Sequence, residues 1–387
     1  MPEDVAQILN RSPEPVAAEV PDEQRAGTSL ALSGGGFRAM MFHSGALLRL
    51  NEAGFLPHIK QFSSVSGGSI TAAVLATNWN QLEFDTHGVA QAFDRVESAL
   101  FDFAGRWVDV PAVLLGALIP GTTIADRLTQ AYRKHLFEDA TLQDLPEGMD
   151  FVINSTSQQT GRLVRFTNEI IASYGLGEVP SSELDLASAV AASSAFPPVL
   201  SPKLLDFELS EWRGSNTFDD DTYREQLVLA DGGVYDNLGL ERAAHLHTVL
   251  VSDGGSPYKV KPKLNVDWLL QSKRAWVTSD RQVRALRKRQ LIAAYQRQER
   301  LGSYWGITTD LNGYVKSGLA DPLPASVAVT SRLAELATQL RPFSKRDRYL
   351  LINWGYVVCD AAIRCHVDKS IPRPSGLPYP KYSLVNS

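Results

Sequence analysis

Two short glycine turns, each between an apolar run and a helical pattern, constrain this chain more than any other feature. Ser33-Gly-Gly-Gly-Phe-Arg38 follows the apolar run Thr28–Ser33, and Ser64-Val-Ser-Gly-Gly68 follows Ile59–Val65. After the first turn, Met40, Met41, Leu47, Leu48 and Leu50 recur at near-helical spacing over Arg38–Asn51, and Gly68–Trp79 continues the second turn as another helix. Strand, glycine turn and helix, used twice, predict parallel strands covered by helices on both faces. Further strands are expected at Phe151–Asn154, Leu163–Phe166, Gln226–Ala230 and Thr248–Ser252, and helices at Thr123–Leu136, Glu183–Ser193 and Leu238–His247. The fold class is α/β with a mainly parallel central sheet.

Outside that pattern the chain changes character. Residues 1–27, with Pro2, Pro13, Pro15 and Pro21, read as a flexible arm without the apolar segment of a secretory signal. Asp206–Glu225, containing Asp219-Asp220-Asp221, reads as a polar excursion; it lacks the spaced glycine and glutamate of a calcium loop, so no metal site is expected. After Pro257 the pattern turns helical, giving a C-terminal helical addition over 258–387. Its segment Arg281–Arg300 is strongly basic, with Val283, Leu286, Ile292 and Tyr295 marking an apolar side, and is expected to present a solvated face, a protein contact or a surface for anionic headgroups. The apolar runs Val110–Ile119 and Tyr349–Val358 are shorter than the ~20 residues of a membrane span. Trp107–Ile119 suits either a lid or acyl-chain wall or ordinary core. Cys359 and Cys365 diverge on one expected helix, which suits reduced thiols and a cytoplasmic location. A formal net charge of −5 gives no reason to expect a nucleic-acid polymer as partner.

The second turn reads as a nucleophile elbow. Such a turn needs small residues two before and two after the serine, here Ser64 and Gly68 around Ser66, with Gly67 between. The following helix points its positive dipole end at the reacting centre. The first turn supplies what attack by Ser66 would require: the Gly34, Gly35 and Gly36 amides can approach an oxyanion closely, and Arg38 adds positive charge or braces the loop. A dinucleotide loop fits less well, because Ala39 stands at the third fingerprint glycine. For the base, Asp231 with Gly232 and Gly233 follows the strand Gln226–Ala230, at the edge where α/β sites gather. His245 or His247 would complete a Ser, Asp, His order, and Asp253 in a second Asp-Gly-Gly is a reserve acid.

With these residues in view, the chain resembles the patatin-like phospholipases, which are related to the catalytic domain of cytosolic phospholipase A2. The likeness rests on Gly34-Gly-Gly-Phe-Arg38, Ser66 within Ser-x-Ser-x-Gly, Asp231-Gly-Gly, Phe151–Gly161 and Ala192-Ser-Ser-Ala-Phe-Pro-Pro198, and runs from about Ser29 to Pro257. It implies a three-layer α/β/α fold, with a catalytic domain over 28–257. It also implies a Ser66–Asp231 dyad needing no cofactor, and hydrolysis of fatty-acyl esters in phospholipids or lysophospholipids at a membrane surface. A homo-oligomer and a small-molecule activator are compatible with it, as are a non-lipid esterase or thioesterase and a ligand-switched effector. Ser64 and Ala39 depart from the family pattern, each standing where glycine is usual.

Overall fold

The computed structural model describes residues 24–108, 123–214, 216–264, 267–338 and 340–385. Most of the expected N-terminal arm and the apolar run Val110–Ile119 lie outside the described residues. In chain order the strands are β1 (Arg25–Leu32), β2 (Ile59–Val65), β3 (Asp150–Ser157), β4 (Leu163–Phe166), β5 (Ile170–Ser173), β6 (Gly177–Pro180), β7 (Lys203–Asp206), β8 (Gln226–Asp231), β9 (Leu246–Asp253) and β10 (Leu301–Gly306). The longer helices are α1 (Gly36–Glu52), α2 (Gly67–Asn78), α3 (Asp94–Phe103), α4 (Ile124–Tyr132), α5 (Leu186–Ser193), α6 (Trp268–Gln296), α7 (Val327–Glu335) and α8 (Lys345–His366).

β10, β9, β1, β2 and β3 lie side by side and run parallel, as the paired strand–turn–helix pattern requires. β1 alternates its buried residues between the faces. Leu30 and Leu32 join a large core under α1, α2 and α8. Ala31 joins a smaller one with Val249, Val251, Leu238, Leu240 and Leu291. Beyond β3 the sheet turns antiparallel through β4, β5 and β6.

β8 is antiparallel to β3, which the parallel reading of the sheet did not anticipate. β3 pairs with β2 as far as Asn154 and with β8 from Ser155 onward, while β4 occupies its other side. β2 and β8 therefore approach end to end along a single edge of β3. Their last residues, Val65 and Asp231, pair with the adjacent residues Asn154 and Ser155.

The helical segment expected after Pro257 is present and is closely joined to the rest of the fold. It contributes the edge strand β10, and α8 packs backbone to backbone on α1: a Cβ on Gly45 would lie 1.9 Å from the Ile352 carbonyl oxygen, and one on Gly355 at 1.9 Å from that of Phe42. Beside this crossing the buried Arg49 and Asp360 pair at 2.9 Å. The basic helix also faces inward more than expected. Arg284 pairs with Asp253 at 3.0 Å, Arg287 with Glu241 at 2.6 Å, and Arg300 donates to the Leu246 carbonyl. Val283 and Leu286, expected on its buried side, are exposed, whereas Leu291 and Ala294 are buried. The helix expected over Leu238–His247 is only a turn at Leu240–Ala243, because the chain then joins β1 as β9, with the Arg25 amide donating to the His245 carbonyl.

Gly45→Ala is expected to destabilise the protein by about 2–3 kcal/mol through overpacking of the α1–α8 crossing. Gly313→Ala, whose Cβ would meet no atom within 4 Å, should be close to neutral. Urea unfolding of the two variants checks this, and equal stability would contradict it.

Candidate active site

Ser66 ends β2 at φ 51° and ψ −117°, a region that a residue with a Cβ seldom occupies, and it caps α2. This sharp turn lifts the side chain off the strand. The packing behind it explains the glycines that follow. A Cβ on Gly67 would lie 2.3 Å from the Gly36 carbonyl oxygen, and one on Gly68 2.2 Å from that of Leu32. At Gly67 and Gly68 the elbow thus meets the main chain of the glycine loop and of the end of β1. Ser66 is 9% exposed, and its amide donates to Ser193 Oγ at 3.0 Å.

Asp231 is buried at the end of β8. Its amide donates to the Ala195 carbonyl at 2.8 Å, and its Oδ1 accepts the Gly233 amide at 2.7 Å. The Ser66 side chain is near enough to its carboxyl to pull its pKa down. Burial pushes its pKa up to about 7, against the pull of the Gly233 and Ser66 donors and with help from the nearby Asp280 carboxylate. A Cβ on Gly232 would strike the Asn154 carbonyl oxygen at 2.3 Å, so the absence of a side chain there seats β8 against β3.

The glycine loop lies across from this pair, with the position of a Cβ on Gly34 3.3 Å from Ser66 Cβ. Gly34 donates its amide to the Asn237 carbonyl at 3.0 Å. Of the three glycines expected to hold an oxyanion, Gly34 is therefore committed elsewhere, and Gly35 and Gly36 carry the amides without a partner among the described residues. Their φ values of 144° and 58° require glycine. Arg38 points its guanidinium at the carbonyls of Gly254, Ala334 and Leu336, at 2.7–3.2 Å, which makes it a brace of the loop and not a contact to the reacting centre.

Both departures from the family pattern have structural partners. Ser64 donates its hydroxyl to the Val152 carbonyl, and Ser69 joins it to Ser193. Ser193 in turn donates to the Asn154 carbonyl at 2.6 Å, so the extra hydroxyl is absorbed in a buried network under the elbow. The Ala39 methyl fits because Gly254 faces it: a Cβ on Gly254 would lie 2.6 Å from that of Ala39.

The alternative acid and bases are held elsewhere. Asp253 is committed to Arg284, the Tyr304 hydroxyl and the Gly255 amide, and the neighbouring Arg284 cation holds its carboxyl well below the usual range despite burial. His245 and His247 flank the start of β9, whereas Ser66 lies level with its far end. At 3.3 Å per residue this places them about 20 Å away along the strand. His43 shows no partner pattern in the sequence. It is fully buried behind the loop, and burial pushes its pKa down to about 4. The neutral ring donates from Nε2 to the Ser33 carbonyl at 2.9 Å. Its Nδ1 accepts from Ser252 Oγ, which itself accepts the Trp305 indole N–H.

The patatin-like phospholipase family model matches residues 30–244, more than half of the sequence, and the chain belongs to that family. Among solved structures it is similar to human GIVD cytosolic phospholipase A2 (15% identity over 61% of this chain and 43% of that one, TM-score 0.43). The same human protein in complex with methyl gamma-linolenyl fluorophosphonate gives 13% identity, 92% and 59% coverage and a TM-score of 0.49. VipD from Legionella pneumophila gives 15%, 87%, 66% and 0.34. The chain thus spans 43% and 59% of the length of the two human chains. None of the curated proteins gives a significant sequence match. Among the described residues no helix is long and apolar enough to cross a membrane.

Because Asp231 ionises only near pH 7 in the folded protein, against 3.8 ordinarily, folding loses stability as pH rises from about 4 to 7. Asp231→Asn removes that cost. At pH 8 it should be more stable than the wild type by on the order of 2–4 kcal/mol, with the difference vanishing near pH 4. Thermal unfolding at the two pH values measures this, and a variant less stable at pH 8 would refute the burial argument.

Proposed function

We propose that the protein is a serine acyl hydrolase acting on fatty-acyl esters of phospholipids or lysophospholipids. The observation that carries this reading is the approach of Ser66, held at positive φ on the tip of α2, to a buried Asp231 carboxyl whose pKa is pushed up to about 7. A carboxylate with an ordinary pKa is too weak a base for a serine hydroxyl, and burial strengthens it. Family membership supports the lipid ester as substrate class.

In this mechanism Ser66 Oγ attacks the ester carbonyl and its proton passes to Asp231. The oxyanion is held by the Gly35 and Gly36 amides, with the dipole of α2 adding to the stabilisation. The tetrahedral centre collapses, the C–O bond to the alcohol breaks, and Asp231 protonates the departing oxygen. Water then attacks the acyl-Ser66 carbonyl, giving a proton to Asp231 that returns to Ser66 as the fatty acid leaves. Asp231 serves as base, then acid, in each half. Neither histidine of the alternative triad enters. His43, Arg38 and Asn237 position the loop from behind.

Ser66→Ala and Asp231→Ala should each lower phospholipid hydrolysis by at least ~10³-fold, while His245→Ala and His247→Ala keep most of it. A fluorophosphonate should label Ser66 in the folded protein. Mass spectrometry of products from mixed phospholipids, set against short soluble esters, identifies the substrate class; turnover of the soluble esters alone would replace the lipid reading. For the wild type, kcat/KM should rise with pH to a plateau above about pH 7, as Asp231 loses its proton. A profile flat from pH 5 to 9 would remove Asp231 as the base.

A further inference from the structure

One face of the sheet carries a cavity of about 510 Å³ whose lining shares no residue with the site around Ser66. Its floor is made by Leu163 and Arg165 of β4, Ala172 of β5 and Glu178 of β6, which the strand register places on one face. Arg213 lies on one wall, and Glu241, Arg242 and His245 form another. Three arginines from three separate parts of the chain therefore border one space. Glu178, the bridge partner of Arg213, and Glu241, which also pairs with Arg287 at 2.6 Å, line the same space.

Arg242 is the group least provided for. Its Nε is buried with no hydrogen-bond partner, and its Nη1 reaches only His245 Nε2, at 3.4 Å. Burial lowers its pKa to about 10, with the Arg165 and Arg25 cations adding to the fall and the Asp150 and Glu241 carboxylates opposing it. A desolvated guanidinium with a buried N–H that lacks an acceptor is a group that an anionic ligand would satisfy.

We propose that this cavity binds a small organic phosphate, with Arg242, Arg165 and Arg213 around the phosphate group. A dianion with several acceptor oxygens can engage several guanidinium groups at once, whereas a single carboxylate fits one planar fork. The cavity is far larger than phosphate itself and falls within the range of small-molecule sites, so it has room for an organic remainder beside Leu163, Ala172 and Tyr174. The phosphate could belong to a soluble ester or to a lipid headgroup.

Titration calorimetry and thermal shift on the full chain separate these sources. Pyrophosphate and glycerol 3-phosphate form one arm, with sodium chloride at matched ionic strength as control. Vesicles of phosphatidate, set against phosphatidylcholine, form the other. Saturable binding in the first arm identifies a soluble phosphate, and binding confined to phosphatidate identifies a headgroup. In either case Arg242→Gln should weaken binding at least tenfold. Arg213→Gln, at an exposed position, provides a second variant should Arg242→Gln fail to fold, and circular dichroism checks folding in both. No saturable binding above the salt control in either arm would overturn the proposal, as would binding that survives both substitutions unchanged.

Discussion

The candidate site depends on one edge of β3. Two strands running in opposite directions share that edge and stop at neighbouring residues, β2 opposite Asn154 and β8 opposite Ser155. Ser66 and Asp231 are far apart in sequence, and no helix or loop has to bridge the gap between them. Hydrogen-bond register along β3 sets their separation, and register is hard to slip when both faces of a sheet are buried. Asn154 reinforces the junction by donating to both Ser63 Oγ and the Ser64 carbonyl, which ties the end of β2 to β3.

Around that junction the main chain is packed against main chain. Gly67 sits on Gly36, Gly68 on Leu32 and Gly232 on Asn154, each at a distance that no Cβ could share. Such contacts leave little freedom for the elbow and the glycine loop to move relative to each other. The strain at Ser66 is sustained by this packing.

The sequence revealed the tight turns of the candidate site more clearly than the topology around them. Ser66, Asp231 and the glycine loop were legible because a strained turn and a close backbone approach demand small residues in short runs, and such runs survive in a linear reading. The parallel half of the sheet was legible for the same reason. β8 gave no sign of its direction, since an apolar strand of six residues reads the same either way. β5, β6 and β7 went unseen: Gly177 and Pro180 bound β6, and β7 runs into the polar stretch after Asp206, whereas β4, equally short, shows in the apolar residues from Leu163 to Phe166. β10 was hidden by its glycines and the basic helix before it. The inward turn of Arg284 and Arg287 could not be read from a charge count, which says nothing about where the matching carboxylates fall. Ser193 and His43 act through contacts distant in sequence, and only the fold reveals them.

The reach of Arg38 bears on what can fold as a unit. The family match ends at residue 244, yet the acceptors of this buried guanidinium are the carbonyls of Gly254, Ala334 and Leu336, all beyond that limit. A fragment cut at the match would also lose β9 and β10, leaving β1 as a bare edge and Arg38 a buried cation without acceptors. The stretch that identifies the family is thus smaller than the stretch that can stand alone. In this chain, the last third of the sequence is part of the scaffold on which the first third does its work.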